Sequence, residues 1–211
     1  MNTPNKVLME KARETLKGKW WVAIQATLLY LIIQILLGAV PGKLAKPIVS
    51  LAVGAPIALG LTMFWLSFSR NDATKITKIF EGFNTWVRAL KTYFLMSLYI
   101  LLWTLLLIIP GIIASFAYSQ TFYIISEDKE IGTRAALKKS KEMMKGNKWK
   151  LFCLLCGFIG WGLLSIISFG IGFIWLIPYV QVTLAKFYDD IKSGEVKHSE
   201  TPELASIPTA N

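Results

Sequence analysis

The distribution of charge constrains this chain more than any other feature of its sequence. Of the 23 Lys and Arg residues, 21 lie in four segments, separated by uncharged runs over 20–42, 47–69, 92–126 and 151–185. A membrane-spanning helix needs about 20 apolar residues to cross a hydrocarbon layer about 30 Å thick. A helix of a soluble protein carries a polar face, which these runs lack. The pattern predicts an all-α, polytopic membrane protein.

The two longest runs determine the predicted number of spans. Each has 35 residues and would form a helix about 52 Å long, too long for a single crossing without steep tilt. Helix-breaking residues lie at both midpoints, at Ile109-Pro110-Gly111 and at 168–172, and the first pair of runs turns at 41–47. We therefore predict six transmembrane helices, forming three helical hairpins, at 20–40, 47–69, 90–109, 111–126, 149–169 and 171–188.

The basic residues predict the orientation of these spans. Positive residues near span ends stay on the cytoplasmic side, and only Lys43 and Lys46 lie outside the four basic segments. Each hydrophobic region that separates two basic segments must then cross the membrane an even number of times. The prediction is a multi-pass protein of the cell (cytoplasmic) membrane with its N- and C-termini cytoplasmic. In a four-span alternative, each 35-residue run crosses once and segment 127–150 lies opposite segment 70–91.

A short basic segment precedes each predicted hairpin. Residues 14–20 resemble 142–149, and 80–86 is a weaker copy. Ile76, Ile79 and Phe83 follow helical spacing, which predicts an apolar stripe beside basic residues. Such amphipathic helices lie flat on anionic bilayers, so anionic lipids at the cytoplasmic face are predicted partners. The alternative is that these helices only pack on the ends of the spans and set topology.

The tryptophans are predicted to have two kinds of role. Trp20, Trp21, Trp86 and Trp149 stand where interfacial anchors belong. Trp161 and Trp175 fall within spans, together with Trp103, and there they either pack against other helices or form the wall of a ligand site.

Uncharged polar residues within the spans are the candidates for a binding site. Tyr118 and Gln120 repeat the spacing of Tyr179 and Gln181 on the second helix of two hairpins, and the first span contains Gln25 and Gln34. The hypothesis is a polar cavity formed by Gln25, Gln120, Gln181, Tyr118 and Tyr179. The alternative is that the amides form hydrogen bonds between helices, which is the usual solution in membranes.

No pattern in the sequence predicts catalysis. All 13 acidic residues lie outside the uncharged runs, and these runs contain no Asp, Glu, Lys or Arg that could relay protons. Cys153 and Cys156 lie in an apolar helix, where thiols are unreactive, and His198 has no partner for a metal site. We therefore predict a protein that is not an enzyme and has no cofactor or metal. The charge alone would suit nucleic acid, but no motif supports that partner.

Several stretches carry a family resemblance. Residues 136–152, followed by Phe158-Ile159-Gly160-Trp161, resemble a bacterial membrane family catalogued as domain of unknown function 975. The opening 12–20 and the stretch 109–112 with Tyr118 resemble it as well, so that the likeness covers nearly the whole chain up to Asp190. The resemblance implies a multi-span protein of the bacterial cytoplasmic membrane. It offers no catalytic residues, and it suggests self-protection against antimicrobial peptides.

These observations predict one membrane domain, residues 1–192, and a disordered cytoplasmic tail, residues 193–211. The predicted role is non-catalytic: binding of a lipid or an amphipathic or antimicrobial peptide, or shielding against it, with a membrane-protein or peptide partner also considered. The alternative is a small transporter or channel for an uncharged or amphipathic solute.

Overall fold

The computed structural model describes the backbone of residues 3–42, 45–72 and 74–204, with side chains described up to residue 194 except at 45. This part of the chain is helical and contains no strand. Its elements are α1 (Asn5–Leu16), α2 (Trp20–Gly38), α3 (Ala45–Ser69), a 3-10 helix (Ile76–Thr85), α4 (Trp86–Leu106), α5 (Ile108–Tyr118), α6 (Thr121–Glu127), α7 (Thr133–Met143), α8 (Lys148–Cys156), α9 (Ile159–Ile167) and α10 (Phe173–Leu204).

Within the described residues, five segments are long and apolar enough to cross a membrane: Trp20–Gly38, Lys46–Ser69, Ile76–Leu106, Ile108–Glu127 and Lys148–Ile167. They correspond to the first five predicted spans, which supports the assignment to membrane proteins. The sixth predicted span, 171–188, lies in α10 and is not among them. The reason is that α10 passes from an apolar to a charged sequence within one helix, since Lys186, Asp189 and Asp190 follow its apolar half.

Apolar side chains at the turns are exposed, whereas most of the buried ones lie towards the opposite end of the bundle. Leu105, Ile109 and Ile167 are 82%, 72% and 75% exposed at the turns of the second and third hairpins. Hydrocarbon, not water, is the favourable surrounding for a surface of this kind. The opposite end, called the basic end because Arg70, Lys150 and Lys192 lie there, contains buried residues such as Met144 and Phe187. The buried core therefore lies towards the basic end.

The turn between α4 and α5 differs from the prediction. The helices break at Leu107, the one residue between them, whose backbone is extended with φ −162° and ψ 143°. Pro110, expected at the tip, is the third residue of α5, where its missing N–H costs no helical hydrogen bond. Gly111 is needed for close packing, because a Cβ there would lie 2.8 Å from the Cα of Thr104.

The turn between α9 and α10 forms at the predicted residues. Phe169 and Gly170 both have positive φ, 55° and 86°, and the Gly170 N–H donates to the carbonyl of Ser165 at 2.9 Å. A left-handed residue that closes a helix end in this way is a common helix terminator. The chain then starts α10 at Phe173.

The basic segment before the second hairpin packs along α3 as a 3-10 helix. Lys78 Nζ donates to Ser67 Oγ at 2.5 Å and Trp86 Nε1 donates to the Ala52 carbonyl at 2.7 Å, so the segment runs antiparallel to α3. A 3-10 helix has about three residues per turn. It therefore buries Ile79 and Gly82 against α3 and leaves Phe83, which a 3.6-residue period places in one stripe with Ile79, exposed.

The short helices α1 and α7 precede the other two hairpins and pack on the ends of the spans. In α7 the buried residues are Ala136, Leu137, Ser140 and Met143, and Ser140 Oγ donates to the Ala117 carbonyl at 2.9 Å. The lysines of α7 at positions 138, 139 and 141 are exposed. The buried side chains of α7 are therefore covered by neighbouring helices, and the predicted contact of its basic face with an anionic bilayer stays a prediction.

The close contact between α3 and the 3-10 helix depends on Gly60, where a Cβ would overlap the carbonyl of Ile79. We expect Gly60→Ala to lower the free energy of unfolding by about 1–3 kcal/mol, because overpacking forces the backbones apart. Gly54→Ala, in the same helix with nothing within 4 Å of its Cβ, is the matched control. Unfolding of both variants in mixed detergent micelles measures the difference, and equal stability would contradict this packing.

Candidate functional site

An open groove with one basic residue lies between α1, the start of α2, α9 and α10. Its volume is about 500 Å³. Arg13 and Trp20 contribute from α1 and α2, and the remaining walls come mainly from Trp161, Leu164, Trp175 and Leu176. We call this cavity the Arg13 groove. It has a guanidinium and otherwise a predominantly apolar lining.

Contacts among α1, α8, α9 and α10 hold the walls of the Arg13 groove in place. The Tyr179 hydroxyl donates to the Met9 carbonyl at 3.3 Å, and its ring lies edge-on to Phe158 at 5.2 Å between centroids. Gly172 allows α9 and α10 to meet, since a Cβ there would lie 2.8 Å from the Cα of Ser165. Arg13 is exposed, and its guanidinium forms no ion pair within the described part of the chain.

A second cavity lies between the two helices of the first hairpin and reaches α4 and α10. Its volume is about 390 Å³. The polar side chains that line it are Thr27, Tyr30 and Gln34 of α2, Ser50 and Thr62 of α3, Tyr93 of α4 and Gln181 of α10. No charged side chain is among its lining residues. We call it the polar cavity.

The hydroxyls of the polar cavity differ in their hydrogen bonds. Thr27 Oγ1 donates to the Ala23 carbonyl at 3.0 Å and Thr62 Oγ1 to the Ala58 carbonyl at 2.9 Å, as such residues commonly do in helices. By contrast, the side chains of five lining residues form no hydrogen bond with any described residue: Tyr30, Gln34, Ser50, Tyr93 and Gln181.

The structure distributes the predicted polar residues over separate places. Gln181 lines the polar cavity and Tyr179 lines the Arg13 groove. Gln120 is 2% exposed, and its amide donates to Ser119 Oγ at 2.9 Å. Tyr118 stacks on Tyr99 at 5.8 Å between centroids, and Gln25 lines neither cavity.

Sequence reasoning left Tyr30 and Tyr93 out of the predicted cavity. For α2, a signal was present, because Thr27, Tyr30 and Gln34 are spaced by three and four residues and so share one face of the helix. For Tyr93, no sequence signal marks its position beside α3.

Of the four predicted anchors, Trp21 and Trp149 are largely exposed and Trp86 is partly exposed. Trp149 stacks on Phe152 at 5.1 Å between centroids, at the start of α8. Trp20 is half-buried and belongs to the Arg13 groove. The anchoring role stays a prediction for all four.

An ion-pair cluster joins all three hairpins at the basic end. Arg70, just after α3, donates from Nη2 to Glu127 at 2.5 Å and to Asp189 at 2.6 Å. Glu127 also accepts from the Tyr188 hydroxyl at 2.5 Å and from Lys192 at 2.6 Å. We call these residues the Arg70 cluster. Because Glu127 ends α6 and Asp189 lies in α10, the cluster brings the ends of α3 and α6 against α10.

A neighbouring ion pair connects α8 with α10. Lys150 Nζ donates to Asp190 Oδ2 at 2.6 Å, and both side chains are largely buried. The same ammonium lies 5.6 Å from the centre of the Phe187 ring, and Thr3 also donates to Asp190. Burial alone would raise the pKa of Asp190, but the hydrogen bonds from Lys150 and Thr3 hold it below its usual value. This carboxylate is therefore charged at neutral pH.

The described residues contain no group of three or more His, Cys, Asp or Glu side chains placed to hold a metal ion. Cys153 and Cys156 are free thiols. The predictions that the chain lacks a metal, a cofactor and an enzymatic activity stay predictions.

Comparison with known proteins identifies one family. Residues 104–195 match the family described as "Protein of unknown function (DUF975)", so the predicted resemblance is confirmed over that part of the chain. The match covers the second turn, α5 to α9 and the first part of α10. No curated protein and no solved structure matches the chain.

The Arg70 cluster predicts a large effect of one uncharged substitution. We expect Glu127→Gln to lower the free energy of unfolding by about 1–3 kcal/mol, because Arg70 and Lys192 lose a charged acceptor that is largely buried. Glu142→Gln is the control, since Glu142 forms only an exposed pair with Lys138 at 3.9 Å, and such pairs contribute little. Unfolding in mixed micelles measures both, and similar losses for the two variants would show that the cluster does not join the hairpins.

Proposed function

We propose that this protein, which matches a family of unknown function over residues 104–195, is a non-catalytic membrane protein that binds an anionic lipid. The observation that carries the proposal is the Arg13 groove. It combines a guanidinium that has no ion-pair partner among the described residues with tryptophan and leucine walls. A molecule with an anionic head and an apolar tail matches both parts.

The charge of Arg13 indicates the chemistry of the head group. A guanidinium binds phosphate through two parallel hydrogen bonds, and it is the preferred side chain for that geometry. Trp20 lies next to Arg13 in the groove, and indoles favour the region where lipid heads meet acyl chains. The net charge of +10 adds a general attraction for an anionic leaflet.

The size of the groove favours a lipid over a peptide. A helix with its side chains is about 10–12 Å wide and rises about 5.4 Å per turn. A volume of about 500 Å³ therefore holds little more than one turn of a helical peptide. An acyl chain is much thinner and can lie along Leu164 and Leu176. Shielding against an amphipathic peptide is for this reason the less favoured role.

We further propose that α10 supplies the sixth span and that both termini are cytoplasmic. Two observations support this topology. The Arg70 cluster brings the ends of α3 and α6 against α10 at one end of the bundle, and the basic helices α1 and α7 precede their hairpins at that end. The lysines near this end favour the cytoplasmic side, and the turn at Phe169 then lies outside.

Cysteine labelling tests the topology. In a chain with Cys153 and Cys156 replaced by Ser, we expect a membrane-impermeant maleimide to label Phe169→Cys in intact cells. Phe169 is 99% exposed at the turn. Ser193→Cys and Glu130→Cys, both at exposed positions, should react only after permeabilisation. Labelling of Phe169→Cys and Ser193→Cys from the same side would show that α10 does not cross, and outside labelling of Glu130→Cys would favour four spans.

Lipid binding is tested by native mass spectrometry of the purified chain in micelles containing equal amounts of phosphatidylglycerol and phosphatidylcholine. We expect Arg13→Gln to reduce retention of phosphatidylglycerol about tenfold, because a charge-assisted hydrogen bond contributes about 1.5–3 kcal/mol. Lys17→Gln removes the same charge from an exposed position just after α1 and is the matched control. Leu164→Trp, which fills the groove without changing charge, should also reduce binding. An unchanged preference in Arg13→Gln, or no preference in the original chain, would contradict the proposal.

A further inference from the structure

The polar cavity presents hydrogen-bonding groups within helices that are otherwise apolar. Tyr30, Gln34, Ser50, Tyr93 and Gln181 have side chains that form no hydrogen bond with the described residues. They come from α2, α3, α4 and α10. Amide and hydroxyl groups in an apolar layer are costly unless a partner satisfies them. Unsatisfied polar groups from four helices therefore meet in this cavity, and hydrogen bonds to a bound molecule would offset their unfavourable free energy.

We propose that the polar cavity is a binding site for a small uncharged solute with several hydroxyl groups. Its lining contains no Asp, Glu, Lys, Arg or His, so an ion entering it would lose its hydration without gaining a counter-charge. A polyol also loses hydration, but its hydroxyls both donate and accept, so that hydrogen bonds with uncharged amides and phenols can replace those with water.

The groups that line the cavity match this chemistry. The amides of Gln34 and Gln181 each offer donors and an acceptor, and the phenols of Tyr30 and Tyr93 offer one group of each kind. The rings of the two tyrosines are apolar surfaces against which the C–H groups of a polyol can pack. The wall of the cavity therefore offers both apolar and hydrogen-bonding surface, which matches the C–H and hydroxyl groups of a polyol.

The dimensions of the cavity fit a molecule of this size. Its volume of about 390 Å³ lies at the lower end of the range of small-molecule sites, about 300–1,000 Å³. Along α2 the lining extends from Ala26 to Leu37, which is about 16 Å of helix. A solute of five or six carbons fits within this volume.

This site is separate from the one on which the proposed function rests. The polar cavity shares no lining residue with the Arg13 groove, and its ligand is uncharged. Lipid retention and polyol binding can therefore succeed or fail independently. Arg13→Gln should leave polyol binding unchanged.

Saturation-transfer NMR on the full chain in nanodiscs tests the proposal with sorbitol as the probe. Gluconate, which has the same carbon count and a carboxylate, is the charged comparison. We expect saturable transfer to sorbitol and at least about tenfold weaker transfer to gluconate. Gln34→Leu and Gln181→Leu should each weaken sorbitol binding about five- to tenfold, because the ligand then loses hydrogen bonds in an apolar setting. Gln25→Leu, in α2 but outside the cavity, is the matched control.

Two results would overturn the proposal. One is the absence of saturable sorbitol binding, which would leave the cavity to water. The other is equal binding by Gln25→Leu, Gln34→Leu and Gln181→Leu, which would place the solute elsewhere. The two test substitutions lie on different helices, so that loss of folding in one leaves the other to decide. Unfolding in mixed micelles identifies such a loss.

Discussion

The bundle depends on the way Arg70 binds carboxylates from two other hairpins. Hydrocarbon gives apolar helices little reason to associate, because lipid tails are as apolar as leucine side chains. Specific contacts must therefore hold the hairpins together. Arg70, Glu127 and Asp189 supply such contacts at the basic end, next to the pair of Lys150 with Asp190. The close backbone packing of the 3-10 helix against Gly60 of α3 is a second such contact.

This location of the strong contacts explains the shape of the molecule. The buried core lies near the basic end, next to these ion pairs. Towards the turns, apolar side chains are left for lipid to cover. The Arg13 groove opens between α1 and the third hairpin, and the polar cavity lies between the helices of the first.

Much of the architecture could be predicted from the sequence, because hydrocarbon permits few solutions. The uncharged runs predicted five of the segments that can span a membrane, and the Gly-rich stretch at 168–172 predicted a turn. The turn at Leu107 was missed, because Pro110 is as acceptable in the first turn of a helix as in a loop. Ile76–Thr85 was expected to be an α-helix with a 3.6-residue period. It is instead a 3-10 helix with a period of about three residues, and it contacts α3 closely at Gly60 and Gly82.

The polar residues show where sequence reasoning ends. Gln120 and Gln181 have the same spacing from a tyrosine, yet one is buried beside Ser119 and the other lines a cavity. Their sequence contexts could not separate them, because the difference depends on which helix packs opposite each amide.

The sequence by itself determined that the chain is helical and suited to a membrane, since charge and apolar length act locally along the chain. Only the tertiary structure decided which distant side chains share a cavity, because that depends on contacts between helices far apart in sequence.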